Sequence, residues 1–198
     1  MNVGLFFGTF NPIHVGHLII ANYMANFTSL DQVWLVVSPH NPLKEKSTLL
    51  GDQHRLTLVR ISVEENSKLW ASDIEFSMPQ PSYTAKTLAV LKEKYPNNNF
   101  SLIMGEDNLR SFPKWYNYEK ILDEYPIFVY PRLRTAAEEN HSAVERILTH
   151  PNVHMCNDVP VMNLSASFIR EGIKNKKDVR YLLTESVLTY IEEMHFYR

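Results

Sequence analysis

The residues best suited to chemistry crowd into one short stretch, Gly8-Thr9-Phe10-Asn11-Pro12-Ile13-His14-Val15-Gly16-His17. Gly8 permits a tight turn and close backbone approach. Asn11-Pro12 is turn chemistry, which places His14 and His17 at or near the first turn of a following helix. Such a turn carries N–H groups without intrahelical partners and a partial positive charge, and so suits a phosphate. Two imidazoles three residues apart lie on nearly the same helix face and add directional donors. A zinc-binding pair is the rival. The zincin pattern needs histidines four apart with a glutamate between them, and that glutamate is missing here.

Other candidates lie in loops further along. Lys44, in SPHNPLKEKS (38–47), can reach an incoming phosphate as a mobile point charge. In PSYTAKTL (81–88), Ser82 or Thr84 is expected to cap a helix, and the free N–H groups of that terminus favour a carboxylate over a neutral amide. In MGEDNLRSFPKWYNYEKIL (104–122), Gly105 leaves room beside a sheet edge and Asp107 can accept from ribose hydroxyls. Trp115 and Tyr116 in the same stretch offer a flat surface for an aromatic ring. In NLSASFIR (163–170), Ser165 or Ser167 can cap a helix with Arg170 about one turn in. A hydroxyl, backbone N–H groups and a guanidinium together suit the β- and γ-phosphates of a triphosphate. Each group also has an ordinary alternative: a surface histidine, a solvated lysine, a core aromatic, a plain N-cap.

The elements needed to position these groups can be read from hydrophobic patterning. NVGLFF (2–7), VWLVV (33–37), FSLIM (100–104) and IFVY (127–130) are short apolar runs of strand type, with KLWASDIEF (68–76) a weaker strand candidate. Between them, 17–27, 54–65, 84–95 and 115–125 carry apolar residues at helical spacing. Alternating strand and helix predicts an α/β fold: a Rossmann-like, doubly wound, mostly parallel sheet with helices on both faces. Two consecutive helices are expected in a C-terminal segment over about 163–198, and the polar stretch 132–150 reads as a partly helical peripheral excursion. In such sheets ligands sit outside the carboxyl ends of the strands, and the loops at 8, 38 and 105 all follow strands.

The chain has 198 residues, 44% hydrophobic and 21% charged, which suits a single domain over 1–198 with a real core. Its net charge of −2 supplies no field toward nucleic acid or an acidic membrane, so any positive charge for phosphate must be local. One cysteine, Cys156, precludes an internal disulfide and fits a reducing compartment. With no signal-type opening and no transmembrane-length run, a cytoplasmic protein is the expectation. The sequence leaves the oligomeric state, including a homo-oligomer, open.

GTFNPIHVGH resembles the HxGH signature of the nucleotidyltransferase superfamily, which transfers a nucleotidyl group from a nucleoside triphosphate with loss of pyrophosphate. The later motifs, in the right order over nearly the whole chain, are similar to the nicotinate-nucleotide adenylyltransferases. That resemblance implies adenylyl transfer from ATP to nicotinate mononucleotide, giving deamido-NAD and pyrophosphate in NAD biosynthesis. It implies an ATP side built from Gly8, Thr9, Phe10, His14 and His17, completed by Gly105, Asp107, Ser165 and Arg170. It implies a mononucleotide side of Lys44, Tyr83, Thr84, Trp115 and Tyr116, with the tryptophan on the pyridine ring and the SYT segment at its carboxyl group. His14, His17, Lys44 and Arg170 are the catalytic candidates, and Mg²⁺ is expected to arrive with ATP rather than on protein side chains.

The late motif departs mildly from the family's Ile-Ser-Ser-Thr-x-Ile-Arg, with Leu164, Ala166 and Ser167 at the first, third and fourth places. Thr184 stands where a proline is frequent, and YPRLRT replaces an Arg-Pro-Gly turn, so no binding role passes to Arg132; His40 is family-like without an assignable role. Pantetheine-phosphate adenylyltransferase is the nearest alternative, disfavoured by the SYT and WY features. A nucleotide-binding regulator without turnover is the alternative of a different class. Intact His14, His17 and Arg170 argue against it.

Overall fold

The computed structural model describes residues 1–39, 49–131 and 146–198. Among these residues six strands form one sheet: β1 (Asn2–Gly8), β2 (Gln32–Val37), β3 (Leu69–Ser72), β4 (Asn99–Gly105), β5 (Ile127–Tyr130) and β6 (Val153–Met155). Their spatial order is β3-β2-β1-β4-β5-β6 and every pairing is parallel. β1 lies between β2 and β4, in register Phe6 with Leu35 on one side and with Ile103 on the other. The winding direction reverses there, so the crevice for a ligand opens beyond the carboxyl ends of β1 and β4.

The principal helices among the described residues are α1 (Val15–Phe27), α2 (Asp52–Val63), α3 (Thr84–Lys94), α4 (Glu106–Ser111), α5 (Tyr118–Glu124), α6 (Ala166–Lys174) and α7 (Glu185–Glu193). Side chains alternate between the two sheet faces, as the pleat requires. Phe6, Leu35, Ile103 and Tyr130 join a core with Met24 of α1, Leu56 and Val59 of α2, Ile169 of α6 and Val187 of α7. Leu5, Val36, Leu102 and Val129 join a second core with Leu88 and Leu91 of α3, Leu109 of α4 and Ile121 of α5. The doubly wound expectation is met. Among the described residues no helix is long and apolar enough to cross a membrane.

Several boundaries differ from the sequence reading. The 68–76 segment is a strand only to Ser72 and then turns through a 3₁₀ helix, Ile74–Ser77. The helix expected from 115 begins at Tyr118, because Trp115 is extended and Asn117 adopts a left-handed conformation at φ 55°. The two helices expected over about 163–198 are present as α6 and α7, and the second begins only at Glu185, capped by the Thr184 hydroxyl accepting from the Val187 N–H at 3.4 Å. Of the polar 132–150 stretch only 146–150 is described, with Arg146–Leu148 helical. Arg132 lies outside the described residues, as do His40 and Lys44.

Candidate active site

The first loop is shaped by its own side chains. β1 ends at Gly8, where an added Cβ would stand 2.8 Å from the Phe10 ring. Phe10 is buried and left-handed, φ 46°, which reverses the chain at the strand end. His14 is then the N-cap of α1, in extended conformation, and His17 is the third helical residue. The His17 Nδ1 accepts the His14 backbone N–H at 3.3 Å. A neutral imidazole accepting at Nδ1 carries its proton on Nε2, so the distal nitrogen of His17 is the donor. The two imidazoles stack at 3.7 Å and 26°, and His17 meets the Phe10 ring edge-on at 5.1 Å. Gly16 makes this stacking feasible, since a Cβ there would lie 3.1 Å from the His14 ring.

Arg170 reaches this loop from α6. Its Nη1 donates to the Asn11 carbonyl at 2.7 Å and its Nη2 to the Ser167 hydroxyl at 3.1 Å. Ser165 is the N-cap of α6, its hydroxyl accepting from the Phe168 N–H at 3.2 Å, so of the two serines considered it is the capping one. The start of α6 therefore sits beside the start of α1 with its arginine turned toward the histidine loop.

On the other side of β1 lies a cleft of about 350 Å³. The carboxyl ends of β1 and β4 form its floor, and Tyr83, Thr84, Trp115 and Tyr116 line its walls together with Gly8 and Thr9. Neither Ser82 nor Thr84 caps α3. The N-cap is Tyr83, whose carbonyl accepts from the Lys86 N–H at 2.8 Å and which makes no side-chain cap, so the N–H groups of Thr84 and Ala85 are left for a ligand. The Tyr83 and Tyr116 rings stand 5.2 Å apart, with the Lys86 ammonium 5.3 Å and 5.8 Å from their centroids, a distance that favours cation–π attraction. The Trp115 ring packs edge-on to buried Phe112 at 5.4 Å, and its Nε1 donates to the Ser111 hydroxyl at 3.4 Å. Buried Glu75 forms part of the cleft wall and anchors α3 by accepting from the Thr87 hydroxyl at 2.7 Å. At the end of β4, Asp107 overlies Gly105: a Cβ added there would come 2.5 Å from Asp107 Oδ1.

Thus His14, His17 and Arg170 converge on the first loop, and Tyr83, Thr84, Trp115 and Tyr116 converge on the adjoining cleft. Gly8 and Thr9 belong to both. One residue that sequence reasoning missed holds this arrangement. Arg55, wholly buried in α2, donates to the carbonyls of Thr9 (2.6 Å), Ser38 (3.0 Å) and Leu50 (2.9 Å) and to Asp52 Oδ1 (2.6 Å). It ties the loop after β1 to the loop after β2. The available signal was its place four and eight residues before buried Val59 and Val63, a cation on an apolar helix face.

Residues 5–172 match the cytidylyltransferase-like family. A probable nicotinate-nucleotide adenylyltransferase of Flavobacterium johnsoniae is 55% identical over 198 residues, covering 100% of both chains. One from Cytophaga hutchinsonii is 46% identical over 197 residues, covering 100% of this chain and 98% of that one. Among solved structures, the Plasmodium falciparum nicotinic acid mononucleotide adenylyltransferase complexed with NaAD superposes at a TM-score of 0.80 with 21% identity, covering 99% of this chain and 97% of that chain. At that identity the likeness speaks to the fold alone. The HxGH loop, the switch-point crevice and the full-length relatives together show that this chain belongs to the cytidylyltransferase-like family and, within it, to the nicotinate-nucleotide adenylyltransferases.

Proposed function

We propose that this chain joins ATP and nicotinate mononucleotide into deamido-NAD and pyrophosphate, with the triphosphate at the histidine loop and the pyridine mononucleotide in the aromatic cleft. A mononucleotide phosphate oxygen attacks the α-phosphorus of ATP, the new P–O bond forms, and the bond to the β-phosphate oxygen breaks with pyrophosphate leaving. The attacking oxygen is already ionised near neutral pH, so neither a general base nor a protein nucleophile is required. Catalysis then rests on alignment and on stabilising charge in the transition state.

The observation that carries this reading is the shared edge: the phosphate-binding start of α1 and the aromatic cleft meet at Gly8 and Thr9, at the switch point of the sheet. There the His17 Nε2–H contacts the α-phosphate as charge builds, and His14 holds the bridging or β oxygens. Arg170, one turn into α6, binds the departing pyrophosphate in a charge-assisted pair. Lys44 steadies the attacking phosphate. Mg²⁺ would arrive with ATP, held chiefly by its phosphates and water. Trp115 stacks on the pyridine ring, and the start of α3 with Lys86 beside it favours the carboxylate of nicotinate over the amide of nicotinamide. ATP and a mononucleotide as substrates fit a cytoplasmic enzyme.

A pyrophosphate-release assay with ATP, comparing nicotinate mononucleotide, nicotinamide mononucleotide and phosphopantetheine as acceptors, tests this directly. Release that depends on the nicotinate compound and exceeds that with the other two is the expected result. Release with phosphopantetheine alone, or ATP binding without release, overturns it.

A further inference from the structure

After α7 the chain makes a tight, unusual return. His195 and Tyr197 are both left-handed, at φ 57° and 63°, a conformation that bulky residues seldom hold without support. The support is visible. Phe196 donates its N–H to the Ile191 carbonyl at 3.0 Å and packs edge-on to His54 of α2 at 4.8 Å and to Tyr190 of α7 at 5.8 Å. Tyr190 in turn bonds the His54 Nδ1 through its hydroxyl at 3.0 Å. The consequence of this anchoring is that the Tyr197 hydroxyl is driven inward to the first loop, where it donates to Asn11 Oδ1 at 2.9 Å.

Asn11 is the residue whose backbone carbonyl accepts from Arg170, and the same Oδ1 also accepts from the Leu50 N–H at 3.2 Å. Leu50 is in turn one of the three carbonyls held by Arg55. One peptide unit is thereby fixed by the last segment of the chain, by the segment before α2 and by the arginine of α6. We propose that Tyr197 is a positioning residue for the triphosphate side of the site: by fixing Asn11 it orients the loop carbonyl that aims Arg170. Burial raises the Tyr197 hydroxyl well above the ordinary tyrosine range, against the lowering influence of Arg170 and Arg55, so it stays a donor throughout the working pH range. This inference rests on the assignment of Arg170 to the pyrophosphate of ATP.

Tyr197→Phe deletes one hydroxyl and keeps the ring in its place. The loss of one partly buried hydrogen bond that orients a charged group corresponds to a rise in KM for ATP of about threefold to tenfold, with KM for nicotinate mononucleotide changed by less than about twofold. The split separates positioning from general loosening, which moves both. Arg170→Ala and the double variant are measured alongside. If Arg170→Ala leaves the KM for ATP unchanged, the Arg170 assignment fails on its own terms. If Arg170→Ala raises it while Tyr197→Phe leaves it within about twofold of the parent, the role of Tyr197 is overturned and that of Arg170 stands. If Tyr197→Phe exerts its full effect again in the Arg170→Ala background, it does not act through Arg170 and the inference is likewise overturned. A double variant no worse than Arg170→Ala alone supports it.

Discussion

Arg55→Met is the substitution for which the structure fixes the largest consequence. The guanidinium is wholly buried and makes four hydrogen bonds, three of them to main-chain carbonyls of separate segments. Methionine fills much of the same volume and supplies no donor. Asp52, whose side chain is 40% exposed, turns to water at little cost, so that ion pair contributes less than about 1 kcal/mol. The carbonyls of Thr9, Ser38 and Leu50 lose their shared partner, at about 1 kcal/mol or more each where water does not replace it. A net destabilisation of about 3–5 kcal/mol follows, within the range for disrupting a buried charged network. For a chain of this size that lowers Tm by about 6–20 °C. Arg55→Lys keeps the charge and three donors but not the planar fork, and falls between the two. Differential scanning calorimetry gives the stability, and kcat/KM for both substrates gives the function, since Thr9 and Ser38 both line the cleft. A Tm within about 2 °C of the parent together with unchanged kinetics would show that Arg55 does not hold the two loops, and the account of how the site is positioned would be wrong.

Three further outcomes follow from the same geometry. His17→Ala removes the Nε2–H donor and lowers kcat by about 10²–10³, read by single-turnover pyrophosphate release; normal turnover ends its role at the α-phosphate. Lys86→Glu reverses a charge next to the Tyr83 and Tyr116 rings and reduces the kcat/KM ratio of nicotinate over nicotinamide mononucleotide by about threefold to tenfold, and an unchanged ratio assigns acid selectivity to the helix terminus alone. Above the ordinary tyrosine value of 10.0, Tyr197 ionises in the unfolded chain but not in the folded one. The unfolded state then binds fewer protons, so stability falls as pH rises, by about 1.4 kcal/mol per unit. Tyr197→Phe removes that component, and urea titrations at pH 9 to 11 should show the two proteins' stabilities converging; Tyr23 and Tyr125, also raised chiefly by burial, cancel in the comparison.

What the sequence disclosed follows from where side chains are buried. Strands buried on both faces write themselves as apolar runs, and β1, β2, β4 and β5 were legible for that reason. β6 was not: it is a three-residue edge strand with only Val153 buried, and His154 and Met155 face outward. The histidine loop was legible because glycine, proline and paired histidines are each unusual at such spacing. Helix starts were less so. Tyr83, not a neighbouring hydroxyl, begins α3, and Trp115 and Tyr116 precede α5 rather than open it, so their rings reach the cleft from a loop. Arg55 and Tyr197 escaped notice for different reasons. One is a cation on an otherwise ordinary amphipathic helix, and the other acts across 186 residues of chain from a segment with no periodicity to read.

These two residues also show how such a site divides its labour. A loop that must offer backbone to phosphate cannot lie in a sheet ladder, so its carbonyls need partners from elsewhere. Here a buried guanidinium takes those of Thr9 and Ser38, while Asn11 is held by Arg170 through its backbone and by Tyr197 and the Leu50 N–H through its side chain. Arg55 sits at the centre of this network and touches three segments at once, so stability and activity must fall together when it is replaced. Tyr197 contributes one bond at the periphery. Its loss leaves the core clusters intact and acts chiefly on the triphosphate side. The same loop is thus governed by one residue at which folding and catalysis are inseparable and by another at which they can be pulled apart, and kinetic data on the two variants distinguish these regimes without any change to a group that touches substrate.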